Sequence, residues 1–459
     1  MKHEFNPTIL RAYDIRGIVD ETLTSHDAYM VGRTFATYLS RQGGRSVCVG
    51  RDGRLSSPAL EAALISGLIE SGADVIRIGL GPTPMLYFAQ KSLKADAGLM
   101  ISGSHNPPHH NGIKLTLASR PFFDEDIQHL GEMANLGDIH KGQGTLIDHS
   151  IFEAYVERLV EDYSQYYSLG RPLKVAWDAG NGAAGEVIEA LTARLPGEHI
   201  LLNTKIDGTF PAHHPDPAVP ENMKQLQAAV STLQCDLGLA FDGDGDRLGI
   251  VDALGRMIWS DQLLILFAEE VLKIHPGANI IADIKSSKVV FDQIATLGGK
   301  PVMWKTGHSM IKAKMAETSS ILAGEMSGHV FFADRYYGFD DALYAAVRLI
   351  GGLSLRNETL AQWYDRLPVM YSTPEIHFQC DEGQKFIIIE EIRKALINHD
   401  ILHIDIDGVR VSGAEGWWLL RASNTQDILV ARMEANTQEG LKALQNQMES
   451  YLKPYGLVF

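Results

Sequence analysis

Asp242, Asp244 and Asp246 stand at alternate positions with Gly243 and Gly245 between them and Arg247 after them, directly behind the apolar run 237–241. Glycines let such a loop curl, so three carboxylates can bring their oxygens onto one hard cation such as Mg²⁺. Three ligands leave Mg²⁺ short of six, a deficit that a phosphate oxygen can fill. An EF-hand is excluded, because its sixth position should be Gly and is Arg247, and its twelfth should be Glu and is Ala253. Ser102-Gly103-Ser104-His105-Asn106-Pro107-Pro108 offers Ser104 as a nucleophile or phosphate carrier. Gly324-Glu325-Met326-Ser327-Gly328-His329 joins a carboxylate, a hydroxyl and an imidazole, a set suited to reading vicinal hydroxyls of a sugar. Arg421-Ala422-Ser423-Asn424-Thr425 gathers a guanidinium fork and short donors, which can cradle a phosphate dianion. Each of these last three loops taken alone is equally an ordinary polar turn. Together they supply a metal cage, a phosphate carrier, a polyol reader and a phosphate cradle, and phosphoryl transfer on a sugar phosphate uses all four.

The elements that must position these loops repeat. Short β-rich apolar runs alternate with helical stretches through three-quarters of the chain, the pattern of βαβ units on largely parallel sheets. One order occurs three times: a run ending at a polar turn (46–52, 173–178, 279–283), a second run after a helix (74–78, 199–203, 301–304), and a third delivering a loop (97–105, 236–247, 320–329). The expected fold class is therefore α/β. Three similar domains, 1–149, 150–252 and 253–367, each present the third-strand loop at the carboxyl edge of a sheet, where open α/β folds place ligands. The last stretch, 368–459, reads as an α+β domain with strands at 373–378, 401–411, 417–421 and 428–434 and helices at 383–397 and 437–451.

Over 459 residues, 41 Lys and Arg stand against 57 Asp and Glu, a formal charge of −16. That field disfavours nucleic acid and anionic membranes as partners, and an anionic ligand needs a local cluster of Arg and Lys. No run approaches the roughly 18 apolar residues of a membrane span. Cys48, Cys235 and Cys380 lie far apart and are expected as free thiols, which makes a reducing cytoplasm the default compartment. Gly180-Asn181-Gly182-Ala183-Ala184-Gly185 spells the dinucleotide fingerprint, but the next run ends at Asn203 without the acid that would hold a ribose, so NAD is not expected. The pairs His109-His110, His213-His214 and Trp417-Trp418 read as loop or packing residues.

In order along the chain stand Arg11-Ala12-Tyr13-Asp14-Ile15-Arg16-Gly17, Arg51-Asp52-Gly53-Arg54, the Ser104 loop, Phe210-Pro211-Ala212-His213-His214-Pro215-Asp216-Pro217, the triple-Asp loop, the Glu325 loop and Arg421 to Thr425. With these motifs the chain resembles the α-D-phosphohexomutase superfamily, most closely its bacterial phosphomannomutase/phosphoglucomutase branch. The resemblance implies a heart-shaped, four-domain architecture around a central cleft. It also implies interconversion of hexose 1-phosphate and hexose 6-phosphate, of mannose or glucose, with glucose 1,6-bisphosphate or mannose 1,6-bisphosphate as activator and intermediate.

By the same resemblance Ser104 is the phosphorylated serine, and Mg²⁺ is held by Asp242, Asp244, Asp246 and an oxygen of that phosphate. Glu325 and Ser327 would grip sugar hydroxyls, while Arg421, Ser423, Asn424 and Thr425 hold the phosphate that is not reacting. Tyr13, Arg16, Lys285 and His308 match family positions facing the cleft. Charge neutralisation suits Arg247 beside Mg²⁺, and the proton acceptor is Lys114 or His329, Lys114 only with a lowered pKa. One departure is that Gln426-Asp427 follow Thr425, placing a carboxylate beside the cradle. A phosphoglucosamine mutase, a sugar-phosphate-binding protein without turnover and a metal-dependent phosphatase are the alternatives. Sugar preference, pathway and oligomeric state stay open, with a monomer as the expectation.

Overall fold

Each of the first three sheets is built on a parallel trio in which the first strand of a unit lies between the second and third. Ser46–Arg51 lies between Asp74–Leu80 and Ala97–Ile101, Leu173–Asp178 between Gly197–Leu202 and Leu237–Phe241, and Asn279–Asp283 between Lys300–Trp304 and Leu322–Gly324. The third strand of each trio then turns back into an antiparallel partner: His110–Leu117, Leu248–Asp252 and Val330–Phe332 respectively. The sheets are therefore mixed rather than largely parallel, and each reactive loop is the connection of a hairpin. Hydrogen-bonded strands at both ends hold such a loop more firmly than a strand-to-helix turn would. These pairings come from a computed structural model describing residues 2–423 and 427–459.

Third strands such as Ala97–Ile101 and Leu237–Phe241 are buried at every residue, as expected where helices cover both faces of a sheet. Tyr87, Tyr155, Trp177, Phe267, Phe332 and Tyr344 belong to one apolar cluster that runs through all three units. The second sheet extends beyond the break expected at 252, because Met257–Ile258 pairs antiparallel with Leu248–Asp252.

The fourth unit is the α+β one, an antiparallel sheet with the helices Glu382–Asn398 and Gln438–Leu452. Its core is its own, with Trp418, Leu429 and Met448 at the centre. The run 401–411 is two strands, His403–Ile404 and Val409–Ser412, separated at Gly408. Gly408 has φ +82°, and a Cβ there would meet the Leu420 carbonyl oxygen at 2.3 Å. Two buried arginines dock this unit on the third. Arg410 Nη1 donates to the carbonyls of Ile284 and Ser286, and Arg432 Nη1 donates to that of Lys285. The Arg410 guanidinium also lies 3.6 Å over the Trp417 ring, and burial pulls it down to about 9.

Candidate active site

The serine loop is held from below by one buried arginine. Arg54 Nη2 donates to the carbonyls of Ser104 (2.7 Å) and Asn106 (2.6 Å), and Nη1 to those of Pro107 (2.6 Å) and His110 (3.0 Å). Asp52 stands 3.3 Å from Arg54 Nε and accepts from the Gly103 N–H at 3.0 Å. Gly103 must be glycine, since a Cβ would lie 2.3 Å from Arg54 Nε. The loop thus carries Ser104 at φ +48°, a left-handed conformation uncommon for a residue with a side chain, and aims its hydroxyl at the acidic loop. Ser104 Oγ donates to Asp242 Oδ2 at 2.7 Å and lies 3.2 Å from His105 Nδ1. Burial, then Arg247, holds the His105 imidazole well below its ordinary value, so it stays neutral.

The acidic loop is fully buried. Asp242 Oδ1 accepts from its own loop, from the backbone N–H of Asp246 (3.0 Å) and of Arg247 (3.1 Å). Asp244 Oδ2 accepts from Thr83 (2.5 Å), Ser102 (2.6 Å) and Lys114 Nζ (2.6 Å), and Lys114 also reaches Asp246 Oδ2 at 2.5 Å. The remaining oxygens, Asp244 Oδ1 and Asp246 Oδ1, are buried without a hydrogen-bond partner. Ligand atoms of the three aspartates lie within 4.8 Å of one another, and two orphaned carboxylate oxygens in such a cluster fit a hard divalent cation. Burial and repulsion from Asp246 and Asp244 push Asp242 well above the usual carboxylate range. Burial alone would raise Asp244 as well, but Lys114 holds it below that range.

Lys114 does not show the lowered pKa that a proton acceptor needs. Burial pulls its ammonium down, yet Asp244, Asp246 and Asp242 outweigh that and hold it above the ordinary lysine value. In this arrangement it is a fixed positive charge.

The glycine fingerprint also finds its explanation here. The Ala183 N–H donates to the Gly243 carbonyl at 2.9 Å, and a Cβ on Gly182 would lie 3.0 Å from the Asp242 carbonyl oxygen. Gly182 thus admits the backbone of the acidic loop, while a Cβ on Gly180 would meet Pro215 and one on Gly185 the Thr204 carbonyl oxygen.

From the third unit, Glu325 Oε2 accepts from the Gly307 N–H at 2.8 Å, while Oε1 is buried without a partner. Gly307 has φ +129° and a Cβ there would meet the Tyr13 ring at 3.2 Å, which brings Tyr13 edge-on to His308 at 5.6 Å. His329 Nε2 accepts from Arg247 Nε at 3.2 Å, and His329 Nδ1 lies 3.1 Å from Asp340 Oδ2 and 3.5 Å from Asp246 Oδ1. Burial and Lys312 keep His308 well below its ordinary value. Arg16 is aimed by Asp14 (2.6 Å) and Asn106 (2.5 Å), Lys285 pairs with Glu375 at 2.8 Å, and Arg421 Nε donates to Asp407 at 3.0 Å.

These loops enclose a cavity of about 380 Å³ to which all four units contribute. Tyr13, Arg16, Ser104, Lys114, Arg247, Lys285, His308, Glu325, Ser327, His329, Arg421 and Ser423 all line it. Asp242, Asp244 and Asp246 lie beneath Ser104. Asn424 and Thr425 lie outside the described residues. Asp427 is not among the residues that line the cavity, and its Oδ1 lies 3.8 Å from Arg11 Nη1. Arg54, Thr83, His105, Asp340, Glu375 and Asp407 were not singled out from sequence. Of these, Arg54 stands in the Arg51-Asp52-Gly53-Arg54 motif and His105 beside Ser104 in its loop, and the others carry no local signal.

Four consecutive segments match phosphoglucomutase/phosphomannomutase alpha/beta/alpha domains I (7–135), II (153–255) and III (259–371) and the C-terminal domain (375–450). The chain belongs to the phosphoglucomutase/phosphomannomutase family. It is 45% identical to the phosphomannomutase/phosphoglucomutase of Pseudomonas aeruginosa over 446 residues, covering 97% of this chain and 96% of the relative. A crystal structure of a phosphoglucomutase/phosphomannomutase family protein from Burkholderia thailandensis superposes with a TM-score of 0.91 at 41% identity, covering 98% of each chain. The N-acetylphosphoglucosamine mutase of Aspergillus fumigatus, solved with GlcNAc-6P and magnesium, shares the fold at 13% identity (TM-score 0.67, 100% of this chain and 96% of that one). As a phosphohexomutase, the chain interconverts hexose 1-phosphates and hexose 6-phosphates. No helix among the described residues is long and apolar enough to cross a membrane.

Proposed function

We propose that Ser104 carries the phosphoryl group of this mutase and that mannose and glucose phosphates are its substrates. The observation that carries the reading is the Ser104 hydroxyl, 2.7 Å from the buried Asp242 and on a cavity that Arg421 and Ser423 also line. Phosphoryl transfer needs positioned oxygens and neutralised charge more than covalent chemistry from the protein.

In the forward direction the bond between phosphorus and Ser104 Oγ breaks, and one forms to the free 6-hydroxyl of a bound hexose 1-phosphate. The hydroxyl proton goes to His329 Nε2, whose ring Asp340 orients through Nδ1, the substrate hydroxyl taking the place of Arg247 Nε; the electron pair of the broken bond stays on Ser104 Oγ, and when that oxygen takes the second phosphate His329 gives its proton to the freed sugar oxygen. Arg247, Arg16 and Lys114 offset charge on the moving group, and Lys114 keeps its proton. Arg421 and Ser423 hold the idle phosphate, and Lys285, Glu325, Ser327 and His308 hold the sugar. After the bisphosphate turns over in the cavity, its other phosphate returns to Ser104 and the 6-phosphate leaves. The orphaned oxygens of Asp244 and Asp246, with Asp242 and the phosphoserine, would hold Mg²⁺, which supplies charge neutralisation at the phosphoryl oxygens.

All the described residues that line the cavity come from one chain, which is consistent with a monomer. Three free cysteines suit a reducing cytoplasm. Incubating the protein with glucose 1,6-bisphosphate and Mg²⁺ and weighing it intact tests the phosphoserine. The mass should rise by one phosphoryl group in wild type and not in Ser104→Ala. An increment that persists in Ser104→Ala would move the carrier elsewhere.

A further inference from the structure

Between the first and third α/β units lies a second cavity of about 400 Å³ that shares no residue with the substrate cavity. Aromatic rings form its inner wall: Tyr87 and Phe339 lie 5.4 Å apart, and Tyr337 stacks on Phe339 at 5.6 Å with 10° between planes. Gln90, 5% exposed, also lines it; its carbonyl accepts from Thr116 at 2.8 Å while Nε2 has no partner. Three cations line it in a chain whose net charge is −16. Arg120 is held by Asp126 and Lys312 by Asp340, but Lys91 has no ion-pair partner among the described residues. Aromatic walls and a cationic lining complement a ring that bears a negative charge. A hexose phosphate, polar on every side, matches these walls poorly.

We propose that this cavity is a second ligand site, for a small aromatic monoanion, and that its occupant is felt in the substrate cavity through Lys312. Lys312 Nζ sits 4.3 Å over the Tyr87 ring and 3.0 Å from Asp340 Oδ1, and Asp340 Oδ2 is the oxygen 3.1 Å from His329 Nδ1. An anion that draws on Lys312 changes the charge balance at Asp340 and with it the seat of His329. The site itself stands apart from the proposed mechanism, whereas this link to His329 rests on it.

The probe is 1-anilinonaphthalene-8-sulfonate, titrated by fluorescence into the full-length protein with and without saturating glucose 1,6-bisphosphate. One-site binding should persist with bisphosphate present and weaken at least tenfold in Ala316→Trp, which fills the cavity from an exposed position on the helix His308–Thr318. Lys91→Glu should weaken it several-fold. Should Ala316→Trp lower the melting temperature, Ser119→Trp fills the cavity from the opposite unit and the same readout decides. Displacement of the probe by bisphosphate, or equal binding by a folded, filled variant, overturns the site. For the link, saturating probe should change kcat/KM at least twofold in wild type and leave Ala316→Trp unaffected. An unchanged wild-type rate overturns the link and leaves the binding result to stand or fall separately.

Discussion

Lys114 ties Asp244 and Asp246 together while Asp242 holds the Ser104 hydroxyl, so Asp244 and Asp246 each have one oxygen spent on Lys114 and the other unpartnered, and Asp242 has both engaged. The carboxylate triad and Ser104 were legible in sequence because their chemistry is concentrated within a few residues. The residues that aim them were not, since each works across a long separation: Asp340 acts on His329, Glu375 on Lys285 and Asp407 on Arg421, and no local pattern marks such a pair. The charge state of Lys114 was equally out of reach, because it depends on three aspartates more than a hundred residues away. Asp340 gives a prediction at this scale. In Asp340→Asn the imidazole loses its charged partner, so kcat should fall by about 10- to 100-fold with KM nearly unchanged, as for outer partners that orient an active-site imidazole. Steady-state kinetics checks it; a raised KM with kcat intact would assign Asp340 to substrate binding instead.

The hairpin is the element that makes each reactive loop. In the first unit its returning strand hides it, because His110–Leu117 opens on His, Asn and Gly and places Lys114 mid-strand; Leu248–Asp252 and Val330–Phe332 are short apolar runs, and such runs do not show their direction. The three-fold repeat of the parallel trios was legible, since their apolar runs are long and regular. Arg54 is the keystone of the first hairpin loop. Arg54→Met leaves four loop carbonyls and Asp52 without a buried cation, and should destabilise the fold by about 3–5 kcal/mol in urea titration while abolishing activity.

The segment around His213 braces the same region: His213 Nε2 lies 2.9 Å from Asp178 Oδ2, and the neighbouring Pro215 would be 3.4 Å from a Cβ on Gly243. The bond to Asp178 raises the His213 pKa. Its stabilisation is therefore full below the ordinary histidine value of about 6.5 and is lost as pH rises through the raised one. The stability gap between wild type and His213→Phe should be widest near pH 5.5 and narrow towards pH 9. A gap that widened with pH would contradict the assignment.

At the scale of the molecule, one apolar cluster runs through the first three units, the first unit having a second core besides, while the fourth carries its own core and docks through Arg410, Arg432 and Trp417. A chain ending at residue 367 should therefore keep a cooperative melt yet lose mutase activity, because Arg421 and Ser423 go with the missing unit. Calorimetry and a coupled assay check both halves. That a C-terminal α+β unit would bring polar residues to the cavity was legible in Arg421 and Ser423. The way it docks was not, because Arg410 and Arg432 cap backbone carbonyls, and a carbonyl leaves no trace in the side-chain sequence.

The central claim is that one serine carries the group between two positions of the same sugar. Phosphorus NMR of the protein with Mg²⁺, a trace of glucose 1,6-bisphosphate, and mannose 1-phosphate or glucose 1-phosphate in parallel samples tests it most directly. The account predicts conversion to the matching 6-phosphates without growth of inorganic phosphate, and no conversion with Ser104→Ala. Conversion surviving in Ser104→Ala, or inorganic phosphate as the main product, would contradict it.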